Sequence, residues 1–233
     1  MKKITISIIL SIFLTFISCK SIPNGETGEK AEYLAKKMLE YANIDAWKKT
    51  EAVEFTFAGI RHHLWDKKRN YVLYQKDNTK VYFKKDTLEG KVFIDNKEIL
   101  ESELKNKKIK EAYSAFINDF FWLQPAFHIY SPGTKRFFIE DNKLRVTFYE
   151  GGVTPGDTYV FYIDNKGKIE IMQMWVKIIP IKGIKAEFKD YIETETGVRI
   201  AKVRETFLKN IILSNIKFYK SFPVDKDPFM EIF

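Results

Sequence analysis

The stretch that decides the fold runs from Glu51 to Asp66 and reads EAVEFTFAGIRHHLWD. Its first half places Val53, Phe55 and Phe57 at every second position, the period of a half-buried β-strand, so the three side chains share one face. Upstream of this stretch, apolar residues recur at three- and four-residue steps instead. The period therefore changes from 3.6 to 2 here, and the sequence predicts a helix followed by a sheet.

One amphipathic helix is predicted before this stretch and another well after it. The apolar stripe of the first helix consists of Ala31, Leu34, Ala35, Met38, Leu39 and Ala42. Thr27 is placed to cap this helix, and a short turn that carries Trp47 follows it. The second helix spans residues 106–122, and Pro125 closes it. Both helices need a surface on which to bury their apolar faces.

Short segments of alternating character make up most of the remaining chain, with turn formers such as Asp77-Asn78 between them. Because this spacing leaves no room for crossover helices, the strands are expected to pair antiparallel. A single sheet of roughly eleven or twelve strands must curl or close. The predicted fold class is α+β: a strongly curved antiparallel sheet, or half-barrel, with helices covering its concave face.

The N-terminus has the layout of a bacterial lipoprotein signal. Lys2 and Lys3 precede an uncharged apolar run that ends at Cys19, the one cysteine of the chain. The segment resembles a lipobox: Ile17, Ser18 and Cys19 fit the pattern, and Phe16 stands where leucine is usual. This resemblance implies cleavage before Cys19 and acylation of its thiol and amine. Two alternatives stay open: an uncleaved anchor, although the run is shorter than the ~20 residues of a spanning helix, and an ordinary secretory cleavage site.

The lipoprotein interpretation predicts how the chain is divided into segments. Residues 1–18 form the signal peptide, 19–28 a tether, 29–222 one domain and 223–233 a C-terminal tail. The predicted location is the cell envelope, as an outer-membrane lipoprotein that faces the periplasm or the surface and touches the membrane through its acylated N-terminus. With a single cysteine no intramolecular disulfide is possible, so stability must come from the core.

Composition narrows the function classes. The chain carries 39 basic and 31 acidic side chains, a net charge of +8, and 15% of its residues are aromatic. Most lysines are dispersed, whereas nucleic-acid sites gather basic residues on one face beside accessible aromatics. Nucleic acid is therefore not expected as a partner, and the excess charge serves solubility or attraction to anionic lipid.

The order of elements resembles the fold shared by the periplasmic lipoprotein carrier LolA and its outer-membrane receptor LolB. The stretches that carry the resemblance are Asp45-Ala46-Trp47, Glu54-Phe55-Thr56-Phe57, His63-Leu64-Trp65-Asp66 and 152–159, reading GVTPGDTY. In that family an incomplete barrel is lidded by helices and encloses an apolar cavity for acyl chains. No local motif allows the family's functional residues to be carried over singly, so the resemblance implies a fold and a ligand class but no individual site residue.

An apolar cavity under the helices would bind hydrocarbon through buried area alone, at ~25 cal/mol per Å². Its candidate liners are the large apolar residues of the strands and the second helix. They are Phe55, Phe57, Trp65, Phe83, Phe116, Phe120, Met172, Met174 and Trp175. Met172 and Met174 share a strand face, and flexible thioethers suit variable ligands. The competing interpretation for all nine is ordinary core packing.

One local grouping looks chemical, His62-His63 with Asp66. Adjacent strand residues point to opposite faces, so the two histidines are not expected to share a metal, and Asp66 lies on the His62 face. No metal site, cofactor motif or nucleophile motif is predicted.

The function expected from the sequence is non-catalytic binding of a lipid or a lipoprotein acyl chain. The alternative is a structural or interaction lipoprotein with a packed core that docks an envelope protein partner, with the loop from Gly151 to Asp157 as the docking element. A hydrolase of envelope lipid or glycan is the third hypothesis.

Overall fold

The computed structural model describes residues 21–150, 155–178, 180–222 and 227–233. The signal peptide, Cys19 and the first part of the Gly151 to Asp157 loop lie outside the described residues. Within the described ranges, no helix combines the length and the hydrophobicity needed to cross a membrane.

The described chain forms three α-helices and a short 3₁₀ turn. They are α1 (Glu29–Ala42), α2 (Ile44–Lys49), α3 (Ser102–Leu123) and the 3₁₀ turn Pro125–His128. The short turn predicted around Trp47 is thus the helix α2. Helix α3 begins four residues earlier than predicted, because the Glu101 carboxylate accepts hydrogen bonds from the backbone amides of Glu103 and Leu104. Helix α1 is preceded by Gly28, which has no side-chain cap, so the capping role predicted for Thr27 is wrong.

Thirteen strands of the described residues belong to one sheet. They are β1 (Ala52–Phe57), β2 (Arg61–Asp66), β3 (Tyr71–Lys76), β4 (Thr79–Lys84), β5 (Gly90–Ile94), β6 (Lys97–Glu98), β7 (Thr134–Glu140), β8 (Lys143–Phe148), β9 (Thr158–Ile163), β10 (Ile169–Trp175), β11 (Ile184–Glu193), β12 (Arg199–Thr206) and β13 (Asn210–Tyr219). The predicted number, eleven or twelve, falls short mainly because β6 is only two charged residues long and carries no alternation of apolar side chains.

The sheet is antiparallel throughout and is not closed. Its spatial order is β6-β5-β4-β3-β2-β1-β13-β12-β11-β10-β9-β8-β7, so β6 and β7 are its edges. Two meanders, β1 to β6 and β7 to β13, join where β1 pairs with β13, for example Val53 with Phe218. Helix α3 is the connection between the meanders. The predicted antiparallel pairing is confirmed.

The interior is divided into two apolar clusters on the helix-bearing face of the sheet. The α1 cluster combines Leu34 and Met38 of α1 with strand residues such as Phe161 and Met172. The α3 cluster combines the buried face of α3 with residues of β1 to β5 and of β13. Trp122 and Phe127 are half-buried and pack against both clusters. The two helices therefore cover different parts of the sheet, and aromatic rings span the seam between them.

The first described residues and the C-terminal residues 227–233 both pack on the domain. Glu26 exchanges two backbone hydrogen bonds with Phe138, at 2.9 and 2.7 Å, and so extends the pairing at the β7 edge. On the face of the sheet opposite α3, Phe229 is fully buried among Leu64, Leu73 and neighbouring aromatic rings. Part of the segment expected to be a tail therefore completes a small third cluster.

Candidate functional site

Aromatic side chains fill the contact between α3 and the sheet. We call Trp47, Phe55, Trp65, Phe116, Phe120 and Phe127 the aromatic layer. Phe120 lies at its centre, with ring centroids 5.0 Å from Trp65, 5.5 Å from Phe116 and 5.5 Å from Trp47. Trp47 also stacks on Phe127 at 4.9 Å, and Trp65 meets Phe116 edge-on. Offset and edge-on rings at these separations stabilise the contact beyond their buried area.

The structure brings six of the nine predicted liners together and separates the others. Phe55, Phe57, Trp65, Phe83, Phe116 and Phe120 belong to the α3 cluster. Met172 and Met174 share one face of β10, as predicted, but pack in the α1 cluster. Trp175 follows Met174 directly and therefore points to the other face of the strand. The nine residues do not form one continuous lining, and their role as cavity liners stays a prediction.

A buried polar network lies inside this apolar contact. Arg61 donates from Nε and Nη2 to the two carboxylate oxygens of Asp119, at 2.6 and 2.7 Å. His63 Nε2 lies 2.8 Å from Oδ2 of the same carboxylate. The side chains of Asp119 and His63 are 0% exposed and that of Arg61 is 22% exposed. The network ties the C-terminal half of α3 to β2.

The protonation of this network follows from burial and charge. Burial favours a neutral Asp119, but the hydrogen bonds and positive charge of its partners outweigh burial, and the pKa of Asp119 lies below its usual value. Burial lowers the pKa of His63, Asp119 raises it by a smaller amount, and the positive charge of Arg61 lowers it further. His63 is therefore neutral and donates its Nε2 proton to the carboxylate.

His62 and Asp66 take no part in that network. The side chain of His62 lies on the opposite face of β2, with Nε2 3.7 Å from Glu54. Asp66 accepts hydrogen bonds from the backbone amides of Lys68 and Arg69 and pairs with the Arg69 guanidinium. The prediction that the adjacent histidines face apart is confirmed. Among the described residues no group of three His, Cys, Asp or Glu side chains is arranged to hold a metal ion.

Several buried nitrogens of the interior have no hydrogen-bond partner. They are His63 Nδ1, Trp65 Nε1, His128 Nε2 and Arg204 Nε on this side of the sheet. His128 contacts Phe120, with ring centroids 5.8 Å apart, and burial lowers its pKa to about 4. An unpaired buried donor or acceptor costs about 1–3 kcal/mol, so a group of them requires an explanation.

Arg204 fixes the end of α3. Its guanidinium is fully buried and donates to the carbonyl oxygens of Leu123 and Ala201 at 2.8 and 2.5 Å. Leu123 is the last residue of α3, where free carbonyls carry partial negative charge and attract a cation. Burial lowers the pKa of Arg204 to about 9. The C-terminal end of α3 is thereby fixed to β12 as well as to β2.

Two lysines lie over the outer tryptophans of the aromatic layer. Lys67 Nζ is 3.6 Å from the centroid of the Trp47 ring and also donates to the Trp47 carbonyl oxygen. Lys85 Nζ is 5.5 Å from the Trp65 ring. Both lysines are half-buried. Burial lowers the pKa of Lys67 to about 8, so its charged form is incompletely solvated.

Two cavities lie away from the aromatic layer. One, of about 730 Å³, is an open groove beside residues 103–114 of α3. The other, of about 360 Å³, lies between α1 and β7 and is lined by residues that include Tyr33 and Phe138. Both open to solvent along charged side chains, and none of the nine predicted liners contributes to either.

Sequence reasoning missed Asp119, Lys67 and Arg204. For Asp119 a signal was present: it follows Phe116 by three residues, so it lies on the apolar face of α3, where a lone carboxylate needs a partner. Arg61 and His63 alternate on one face of β2 and could have been proposed as those partners. Lys67 and Arg204 had no comparable signal, because their environments are built from distant segments.

The fold and the site define the class of this protein: an α+β domain whose open antiparallel sheet buries an aromatic layer beneath helices. No protein-family model matches the chain, and no curated protein matches it. Similar solved structures include a DUF1329 family protein from Desulfovibrio piger, at 12% identity and a TM-score of 0.45, covering 84% of this chain and 96% of that one.

Two further solved structures are similar to this chain. A LolA superfamily protein from Nitrosomonas europaea shares 11% identity with a TM-score of 0.44, over 84% of this chain and 96% of that one. A domain provisionally assigned as an outer membrane lipoprotein-sorting protein, from Vibrio parahaemolyticus, shares 8% identity with a TM-score of 0.35, over 82% and 96%. The Nitrosomonas europaea protein bears the name of the superfamily that the sequence resembles.

Proposed function

We propose that this protein is a membrane-anchored envelope lipoprotein that binds the acyl chain of a lipid or lipoprotein, without catalysing a reaction. In this proposal the sheet is curved, α1 and α3 cover its concave face, and the hydrocarbon enters between helices and sheet. The ligand contacts the aromatic layer, and the binding energy comes from burial of its apolar surface.

The seam between the two apolar clusters carries the proposal. A single continuous core would be joined by fully buried residues, whereas here half-buried Trp122 and Phe127 make contact with both clusters. Trp47, also half-buried, stacks on Phe127 beside them. Half-buried aromatic rings between two separately packed helices leave apolar surface to which an alkyl chain can add contact.

The titratable groups of the interior favour binding over catalysis. Asp119 and His63 are fully buried; they hydrogen-bond to each other, and Asp119 also accepts hydrogen bonds from Arg61. A general acid or base must reach the reacting atom within hydrogen-bond distance. A carboxylate enclosed by its own partners therefore serves to hold α3 in place, and the proposal assigns it no reaction.

Membrane attachment rests on the sequence around Cys19. Replacing Cys19 by alanine removes the only thiol of the chain, and with it the acceptor for acylation. We expect the Cys19→Ala protein to leave the membrane fraction or to accumulate as an unprocessed precursor. Ser18→Ala is the matched control, since alanine is accepted before the cysteine in the lipobox pattern. Unchanged fractionation and unchanged mass in Cys19→Ala would remove the lipidation hypothesis.

Ligand binding is tested by photolabelling the full-length protein in isolated membranes with an acyl chain that carries a diazirine. We expect the label in peptides that contain Trp47, Phe120 or Phe127. Phe120→Ala removes the central ring of the layer and should lower this labelling, whereas Phe207→Ala, at an exposed turn, should not. Labelling confined to peptides outside the layer would contradict the proposal.

A second candidate function is docking of an envelope protein partner, and a group of exposed apolar side chains favours it. Ile178, Phe207 and Leu208 are each more than 60% exposed. They lie in the β10–β11 and β12–β13 connections, which meet at one end of the sheet because Ala186 pairs with Thr206. The described residues 155–157 of the loop predicted to dock a partner precede Thr158, which pairs with Trp175 at the same end. Pull-down from envelope extracts with Phe207→Ser and Leu208→Ser as controls distinguishes this function, since acyl binding should survive both changes.

A further inference from the structure

Lys67 is a half-buried lysine whose ammonium has a ring and a carbonyl oxygen as neighbours. Its ammonium lies 3.6 Å from the Trp47 ring and donates to a backbone carbonyl. Its neighbour Lys68 pairs with Glu51 at 3.6 Å, and Lys85 lies 3.8 Å from Asp86. In the described part of the chain no carboxylate pairs with Lys67 Nζ, and burial alone accounts for its lowered pKa.

An unpaired, half-buried ammonium is costly, because desolvation is not offset by an opposite charge. The ring face of Trp47 compensates in part through a cation–π contact. A bound anion would compensate more, since a charge-assisted hydrogen bond is about twice as strong as a neutral one. The surroundings of the Lys67 ammonium therefore lack the negative charge that a bound anion would supply.

The surroundings of Lys67 restrict what kind of anion fits. Lys85 lies over Trp65, whose ring centroid is 6.0 Å from that of Trp47, so the two cations flank one aromatic pair. The indole nitrogen of Trp65 is buried without a hydrogen-bond partner. Beneath the pair, Phe120 contacts both tryptophans. The two ammonium groups lie on the outer side of the tryptophan pair, and the Phe120 ring lies on its inner side.

We propose that Lys67, with Lys85, binds the anionic head of an amphiphile whose acyl chain lies on the aromatic layer. This inference rests on the proposed function and adds the ligand class: an alkyl chain that ends in a carboxylate or a phosphate. The same oxyanion chemistry could come from a free fatty acid or from a phospholipid head, and the test separates these sources.

The test uses the full-length protein in isolated membranes and three diazirine probes of equal chain length. One probe ends in a carboxylate, one in a phosphate monoester and one in a hydroxyl group. Labelling of each variant is divided by wild-type labelling with the same probe, so that differences in membrane partition cancel. The variants are Lys67→Met, which keeps the apolar stem, Lys67→Arg, which keeps the charge, and Lys68→Met as the neighbouring control.

We expect Lys67→Met to lower labelling by the anionic probes about tenfold, the loss of one charge-assisted contact. Labelling by the hydroxyl probe should not change, and Lys67→Arg and Lys68→Met should label as wild type does. A loss for the carboxylate probe alone indicates a fatty acid, a loss for the phosphate probe alone indicates a phospholipid head, and a loss for both indicates recognition of either.

Other results overturn the inference in distinguishable ways. If Lys67→Met labels normally with both anionic probes while wild type labels in the aromatic layer, the head-group site is wrong and the proposed function stands. If wild type labels with no probe in the layer, the proposed function fails and this inference fails with it. In a third case, labelling by the hydroxyl probe also falls in Lys67→Met, Lys67→Arg labels normally, and circular dichroism shows both variants folded. Lys67 then supports the structure of the aromatic layer and does not recognise the charge of the head group, so the inference is wrong.

Discussion

Asp119→Ala is expected to destabilise the protein more than any substitution on the exposed face of α3. The change removes the acceptor of two hydrogen bonds from Arg61 and one from His63. It leaves a guanidinium with little solvent contact and a buried imidazole with neither nitrogen paired. Breaking a buried ion pair costs about 3–5 kcal/mol, and the partial exposure of Arg61 places this case near 3 kcal/mol.

The assay is urea unfolding followed by tryptophan fluorescence at pH 7.5, with the free energy of unfolding taken from the linear extrapolation. Asp119→Asn keeps the shape but places an amide NH2 against one donor of Arg61, so it should cost at least about 2 kcal/mol through loss of the charge and of one hydrogen bond. The double variant Arg61→Met, Asp119→Leu replaces the charged pair by apolar side chains and should recover at least about 1 kcal/mol of the loss seen in Asp119→Ala, because only the unpaired His63 then remains. Ser114→Ala, on the exposed face of α3, is the control and should change stability by less than about 0.5 kcal/mol.

The reasoning is refuted if Asp119→Ala costs less than about 1 kcal/mol, which is the value of an exposed ion pair. It is also refuted if the double variant is as unstable as Asp119→Ala, because the burial of unpaired charge would then not be the cause. If Asp119→Ala loses about 3 kcal/mol as expected but Ser114→Ala also loses much stability, the loss would reflect a general sensitivity of α3 to substitution and not the buried ion pair.

Three further predictions follow from the same structure. Folding lowers the pKa values of His63 and His128, so below pH 6.5 the unfolded chain binds more protons than the folded one. The urea midpoint should therefore decrease as the pH is lowered from 6.5 to about 4, and the lowered pKa of Asp119 adds a further loss of stability at more acidic pH. A midpoint that does not change with pH would contradict this prediction. Phe229→Ala should cost about 3–5 kcal/mol in urea unfolding because the ring is fully buried on the outer face of the sheet, whereas Phe233→Ala, at a 40% exposed residue, should cost much less. Gly167 has φ +92°, and a Cβ there would lie 2.3 Å from the Lys37 carbonyl oxygen, so Gly167→Ala should lower the thermal midpoint by more than Gly59→Ala, which bears only the backbone strain of its φ of +71° because its Cβ would meet no atom within 4 Å.

The candidate site was only half predictable from the sequence. The rings of Phe116 and Phe120 follow from helical periodicity, and those of Phe55 and Trp65 from strand alternation, so the side of each element that meets the interior could be stated in advance. Which rings contact one another could not be stated in advance, because those contacts depend on how α3 crosses the sheet. Met172 and Met174 show the limit: their shared face was predicted correctly, but they pack under α1 rather than with the rings under α3.

The sequence by itself determined the helix-then-sheet order, the antiparallel pairing and the faces of the strands, because each of these depends on spacing between residues close in the chain. It also predicts a lipoprotein signal at Cys19, from a local pattern. Only the tertiary structure decided that β1 meets β13, that Asp119 pairs with Arg61 and His63, and that Lys67 lies over Trp47. These contacts join segments as far apart in the chain as Val53 and Phe218, and the energy of a buried charge or ring depends on neighbours that no local pattern specifies.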